Sequence, residues 1–362
     1  MDFGLSDEQK LLDESLRRFL AERMPMTRVR ELIETPEAHD PKAWAELAEL
    51  GVAGCLIAEE HGGAGLTLLD AAVISTALGH AAAPTPFLGS AVLAPALIAD
   101  AGSDAQRKEW LPKLAAGKLR IGVAIAEQVE RRDDAGVALE AGKLRGTALF
   151  AIDGVGADAF LVAAGDRLAL VAKGAAGLTV EPMPTVDRTR RLAELRFEAV
   201  APSELLASGG APAHAAIAHA LGAARVLLAA DMLGSCDRSL AMSVDYAKQR
   251  KQFDRPIAQF QAVKHMCAEM AAAIEPARSL VWYAAHAAAE FPAEAPLLAL
   301  HAKAHLADVA MDVVRTATQV HGGIGFTDAY DLQFWFKRVS LARQLLGTPA
   351  KLRANAAAAQ GL

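Results

Sequence analysis

The chain has 362 residues, of which 53% are hydrophobic and 22% charged, and a formal net charge of −6. That length exceeds one small core and predicts two or three domains. The acidic balance excludes a nucleic-acid binder, which needs a basic face. The longest apolar run, around Val226–Leu233, is broken by Asp231, which predicts no membrane-spanning segment.

The opening MDFGLSDEQK is polar and acidic, so no signal peptide is predicted and a reducing cytoplasm is the expected compartment. Cys55, Cys236 and Cys267 are far apart with no CxxC pair, which favours buried thiols over disulfides or metal ligands. Ser6 and Gln9 form a capping box, and Leu12, Leu16, Phe19 and Leu20 follow at helical spacing. Asp40 and Pro41 open a second helix with Trp44, Leu47 and Leu50 on one face and Gly51 as its stop. EEHGGAGL (59–66) is a glycine-rich loop before a helix over 67–81. APTPF (83–87) breaks the chain, and further helix runs to about Gly117.

From Lys118 to about Ser203 the texture changes. RIGVAIA, KLRGTALFAI, AFLVAA, RLALVA, GLTVEPM and RLAELRF are short apolar runs set off by Gly, Asp and Pro. They predict six or seven strands of a small antiparallel barrel or sandwich. After Pro212, helices are expected over 213–249, 257–290, 296–320, 328–345 and 349–359. Their short loops predict an antiparallel bundle. The class is therefore α+β, with a helical domain (1–117), a β domain (118–208) and a C-terminal helical bundle (209–362).

Two stretches carry candidate chemistry. YAKQRKQFDRPIAQFQ (246–261) leaves one helix, turns, and enters another, with Arg250 and Phe253 at the exit and Gln261 at the entry. An arginine there suits a phosphate through its planar fork of donors. The residues alone equally allow a helix-end arginine meeting the carbonyl dipole, with Phe253 in a core. QVHGGIGFTDAYDL (319–332) sets three glycines between helices, where backbone can approach a ligand or simply turn. It is no GxGxxG, and no strand precedes it. His321 reads as structural, and no metal cluster or GxSxG motif is present.

Taken in order, these stretches resemble the acyl-CoA dehydrogenase family along nearly the whole chain. WAELAELGVAGCLIAEEHGGAGLTLLD and APTPFLGS look like its N-terminal domain, and TVDRTRRLAELRFEAV like the end of its middle domain. YAKQRKQFDRPIAQFQAVKH and QVHGGIGFT look like its C-terminal motifs. The resemblance implies an N-terminal helical domain, a middle antiparallel β-barrel and a C-terminal four-helix bundle. It also implies FAD held across a subunit interface. Arg250 is then expected at the pyrophosphate, and Phe253 and Gln261 near the adenosine. Gln319, Gly322 and Gly323 are expected on the other side of the ADP moiety. Gln252, Ile257, Phe260 and Thr348 complete the implied cofactor contacts. The family reaction removes two hydrogens from an acyl-CoA thioester, with a glutamate taking the α-proton and flavin the hydride. Electron-transferring flavoprotein is the expected acceptor.

This sequence departs from that pattern. The glutamate commonly lies in Tyr-Glu-Gly-Thr, and an ungapped count from Gln319 lands on Leu345-Leu346-Gly347-Thr348. Leu346 stands where the base is expected, and it abstracts no proton at any pH. The alternative family position, on the first long helix of the last domain, falls on Ala224. The family's Thr-Glu-Pro ring loop reads Ala126-Glu127-Gln128 here, and its Trp-Ile-Thr stretch reads Phe150-Ala151-Ile152. Three readings follow. The chain is one subunit of a heteromeric (α2β2) acyl-CoA dehydrogenase, resembling bacterial types that act on steroid side-chain or similar bulky thioesters. Or it is a self-sufficient enzyme or homo-oligomer whose base is Asp231, Asp328 or Asp331. Or it is a scaffold without catalysis.

Overall fold

A computed structural model describes residues 4–362 of the chain. The N-terminal helices are α1 (Asp7–Arg23), α2 (Met26–Ile33), α3 (Pro41–Glu49), α4 (Leu68–His80), α5 (Ala94–Ala101) and α6 (Asp104–Ala115). They start where the sequence places their caps. Ser6 and Gln9 exchange both bonds of the capping box, at 3.0 and 3.2 Å. The Asp40 carboxylate accepts from the Lys42 and Ala43 amides ahead of Pro41. The APTPF break holds, and a wide π-helical turn at Phe87–Leu93 follows it into α5.

The middle segment is an eight-stranded sheet: β1 (Ile121–Ala124), β2 (Gly136–Glu140), β3 (Lys143–Ile152), β4 (Ala159–Ala164), β5 (Arg167–Ala172), β6 (Leu178–Pro182), β7 (Leu192–Val200) and β8 (Glu204–Gly209). The order is β6-β7-β3-β1-β4-β5-β8, with β2 paired only to β3. The sheet is mixed where an antiparallel one was expected. Strand β1 pairs β4 in parallel from Ile121↔Ala159 to Ala124↔Val162. The alternation of a strand fixes its faces but not its partner's direction, so pattern alone does not distinguish a mixed sheet from an antiparallel one. Strands β2 and β8 escaped the sequence reading, because β2 buries none of its residues fully and β8 only Leu206. Phe160, Val162, Leu195 and Phe197 anchor the sheet core.

The last part is helical: α7 (Ala211–Gln249), a two-stranded hairpin of β9 (Lys251–Gln252) and β10 (Arg255–Pro256), then α8 (Gln261–Glu290), α9 (Ala295–His321), α10 (Leu332–Gln344) and α11 (Pro349–Ala359). Helix α9 packs against α8, α10 and α11. By length and composition α7 is apolar enough to cross a bilayer, which the broken run at Asp231 did not suggest; 72% of its most apolar window is buried inside the protein.

The fold divides into two compact units. One takes the chain up to Arg30, Ala72–Ala83 and Arg225–Leu362; the other takes Glu31–Ala71 and Pro84–Ala224. Within the first, α4 and α7 meet backbone to backbone. A Cβ on Gly79 would collide with the Asp231 carbonyl, and one on Gly234 with the Thr76 carbonyl. Trp335 of α10 closes the crossing by donating its indole N–H to the Gly79 and His80 carbonyls, both at 3.1 Å. Gly234→Ala is expected to lower unfolding free energy by about 1–3 kcal/mol, as overpacking does. Urea unfolding reads this as a lower midpoint at constant slope; an unchanged midpoint would show that the two helices can part without cost.

Candidate cofactor and active site

At the end of α7 the chain makes a tight hairpin. The Ile257 amide donates to the Arg250 carbonyl at 2.8 Å, and Gln252 pairs with Arg255. Phe253 and Asp254 at its tip are both left-handed, with φ of 52° and 59°. This is the backbone of a two-residue hairpin turn, usually given to Asn-Gly. A phenylalanine there is strained, and strain of this kind clusters at ligand sites. The ring is 87% exposed and touches only the edge of Phe260, over whose face Arg255 lies at 4.3 Å. Phe260 is the N-cap of α8 and supplies no capping side chain, so the first amides of α8 at Gln261 face outward uncapped.

A second element ends beside it. Tyr246 of α7 stacks on His321 of α9 with ring centroids 4.5 Å apart. His321 also bonds the Ala317 carbonyl at 2.8 Å and the Tyr330 hydroxyl at 3.2 Å. Burial holds its pKa below the usual histidine value. It is a post joining two helix ends. Gln319 is exposed on the last turn of α9, and Gly322 turns the chain at φ +65°. A Cβ on Gly322 or Gly323 would meet nothing, so the backbone there lies open. Arg250, Gln252, Phe253, Gln261, Gln319, Gly322 and Gly323 are therefore exposed at neighbouring helix ends, and Ile257 and Phe260 are half-buried supports. Thr348 does something else: it N-caps α11, accepting from the Lys351 amide at 3.3 Å.

In the second unit the loop expected to hold a flavin ring is turned on itself. The Leu149 amide donates to the Glu127 carboxylate at 3.0 Å. Phe150 is left-handed, its amide points at the Met183 sulfur, and the Arg132 guanidinium lies 5.0 Å over its ring. No hydroxyl stands at 126–128 or 150–152.

Leu346, at the position expected for the base, is 7% exposed with φ of 57°. Its carbonyl accepts from Arg225 Nε at 3.0 Å. Lys303 is wholly buried and donates to the Arg343 and Gly347 carbonyls at 2.8 and 3.0 Å. Burial lowers Arg225 to about 10. The segment 343–348 is thus held by two basic side chains. Its nearest acid of note, Asp308, pairs with Arg343 and Arg353. Arg225 and Lys303 were not read as site residues, although Lys303 betrays itself in the sequence: it falls on the same helical stripe as Ala299, Leu306 and Ala310, where an apolar residue belongs.

The three aspartates considered as bases do not suit that task. A base must be unpaired and desolvated. Asp231 is buried in an ion pair with Arg338 at 2.7 Å, and Asp331 accepts Nε and Nη2 of Arg30 at 2.9 and 2.7 Å. The Asp328 side chain is 87% exposed. Asp231→Ala is expected to cost about 3–5 kcal/mol of stability by stranding the Arg338 charge. A variant with unchanged urea stability but lost activity would reinstate Asp231 as a base.

Domain patterns described as "Acyl-CoA dehydrogenase, N-terminal domain" and "Acyl-CoA dehydrogenase, C-terminal domain" match residues 6–118 and 214–360. The acyl-CoA dehydrogenase IpdE2 of Mycobacterium tuberculosis is 33% identical over 347 residues, covering 96% of this chain and 95% of that one. The chain belongs to the acyl-CoA dehydrogenase family. Members of this family are oxidoreductases acting on CH–CH groups, and the chain is of that type. A "Tcur3481-Tcur3483 steroid ACAD" variant structure superposes with a TM-score of 0.87 at 29% identity, covering 98% of each chain. The ChsE4-ChsE5 complex of Mycobacterium tuberculosis superposes with a TM-score of 0.89 at 27% identity, covering 99% of each.

The residues of this family member fit one half of FAD. Arg250, the uncapped start of α8 and the open glycine backbone suit a pyrophosphate and adenosine. The loop around Glu127 and Phe150 does not fit the ring, since its amides and its aromatic face are already taken within the chain.

Lys303 gives this site a pH signature. Burial, with Arg225 and Arg343 nearby, lowers its pKa from 10.5 to about 7. The unfolded chain keeps that proton to higher pH, so above pH 7 the unfolded state binds more protons and the fold gains stability as pH rises. Below pH 7 the gain is absent. Lys303→Met is expected to flatten the rise of Tm between pH 7 and 9; a variant curve parallel to the parent's would show that the buried lysine stays charged.

Proposed function

We propose that this chain is one subunit of a heteromeric acyl-CoA dehydrogenase, supplying ADP-side contacts for FAD and no catalytic base. What carries the reading is a contrast: Phe253, strained and 87% exposed beside Arg250, against a ring loop closed by Arg132 on Phe150. A hydrophobic ring held out at a strain cost on a hairpin tip serves something outside the unit.

When bound, FAD supplies the acceptor for a hydride leaving the β-carbon of an acyl-CoA. This chain's part is binding and orientation. Arg250 pairs with pyrophosphate oxygens, Phe253 covers the adenosine, and the Gln261 and Gln319 amides bond its polar edge. Gly322 and Gly323 let backbone approach without a Cβ in the way. The α-proton is taken by a homologous partner that carries the glutamate, because Leu346 and Ala224 cannot take it. Support for a partner comes from the two-component relatives, one of them described as a steroid enzyme. By the same likeness the substrate is a bulky, ring-bearing acyl-CoA and the electron acceptor an electron-transferring flavoprotein, in the cytoplasm.

The test is the visible flavin spectrum of the chain purified alone and co-expressed with a homologue encoded beside its gene. Alone, it is expected to hold little flavin and to show no bleaching under anaerobic acyl-CoA titration. The co-expressed complex is expected to be yellow and to bleach, and Arg250→Ala in this chain to weaken its flavin retention at least tenfold. A chain that binds flavin stoichiometrically by itself and bleaches with acyl-CoA sinks the heteromer reading.

A further inference from the structure

A cavity of about 410 Å3 opens among α1, α4, α7 and α10, all within one compact unit. It shares no residue with the cofactor contacts above. That volume lies in the range of small-ligand sites. Pro25, Met26 and Ala81 present accessible apolar surface to it, while Leu20, Met24 and Trp335 lie almost wholly buried behind them. Trp335 is fixed, because its N–H is spent on the Gly79 and His80 carbonyls. Arg238 lays its guanidinium 5.5 Å above that ring.

The charges around the cavity do not balance. Arg17 has Asp13 at 2.7 Å, and Asp331 has Arg30 at 2.7 Å. Asp237, next to Arg238 in sequence, is taken by Arg278 at 2.8 Å. Burial and the two arginines, Arg17 and Arg238, lower His80 to about 4, so it is neutral near pH 7. Among the described residues Arg238 has neither a carboxylate nor a hydrogen-bond acceptor; the ring is its one partner. An unmatched guanidinium propped on a buried indole, beside the accessible Pro25, Met26 and Ala81, is a receptor for a molecule with one anionic end and an apolar body.

We propose that this cavity binds an amphipathic carboxylate, with its carboxylate on Arg238 and its apolar ring body on Pro25, Met26 and Ala81, the accessible apolar lining. One planar guanidinium matches one carboxylate bidentately. A phosphate dianion would need a second uncommitted cation, and Arg17 is committed to Asp13. The inference is independent of the cofactor reading, since no residue is common to both.

The test is isothermal titration of the full chain with 2-naphthoate, and with 2-naphthalenemethanol as the uncharged counterpart. One saturable site is expected for naphthoate, with at least tenfold weaker binding of the alcohol. Arg238→Gln should bring naphthoate down to the level of the alcohol without weakening the alcohol. Ala21→Trp, at an exposed α1 position on the cavity edge, should abolish binding of both. Unfolding midpoints confirm that each variant is folded, and Ala21→Trp decides alone if Arg238→Gln is not. Absence of saturable naphthoate binding, equal affinity for acid and alcohol, or binding that survives Ala21→Trp overturns the proposal.

Discussion

The close crossing of α4 and α7 is the constraint on which the helical unit depends. Two glycines let the backbones touch, so there is no side-chain layer between them to absorb error. The buried Asp231–Arg338 pair sits at the same place, each side chain 3% exposed. A pair this dry is not retained for net stability, since apolar replacements of equal volume often do as well or better. It does fix register: Arg338 sets where α10 lies against α7, and Trp335, one turn earlier, then reaches the last carbonyls of α4. Tyr246, further along α7, is thereby set at the height of His321. The hairpin and the glycine turn are exposed at neighbouring ends because the helices carrying them are held from within.

The lost base position is more than a missing carboxylate. A glutamate at 346 would lie beside Arg225, whose Nε bonds the backbone there, with Lys303 bonding the next carbonyl. Opposite charge within a few ångströms lowers a carboxylate pKa and weakens it as a base. With Arg225 Nε 3.0 Å from its backbone carbonyl, position 346 is a place where a carboxylate would be held low and would make a weak base.

Much of the fold was legible in the sequence, and the exceptions have physical reasons. Caps at Ser6 and Asp40, the APTPF break and the long C-terminal helices are local signals, written within one or two turns of the residues they govern. The expected helix from 257 begins at 261 because Pro256 and the short turn at Ile257–Gln259 belong to the hairpin. The parallel β1–β4 pair was not legible, because partner direction is set by contacts far apart in sequence. For the candidate site, Arg250, Phe253 and Gly322 were singled out through motif likeness, and their exposure was not foreseeable. Asp231 misled because a buried aspartate looks the same in sequence whether it serves as a base or as an arginine's partner. Arg338, 107 residues away, decides between them.

The two halves of the cofactor region differ in the physics that maintains them. The ADP-side residues hold their geometry through backbone: a left-handed hairpin tip, an uncapped helix start and a glycine turn, each stable without a ligand. The ring loop instead keeps its donors satisfied internally, as buried polar groups must be when no ligand replaces water. The Glu127–Leu149 bond and the Arg132–Phe150 contact pair that loop within the chain. The ADP side faces no such pressure, because its exposed groups are solvated when nothing is bound. The two regions thus meet the same requirement, that polar groups be paired, in different ways: one through solvent and the other through its own side chains.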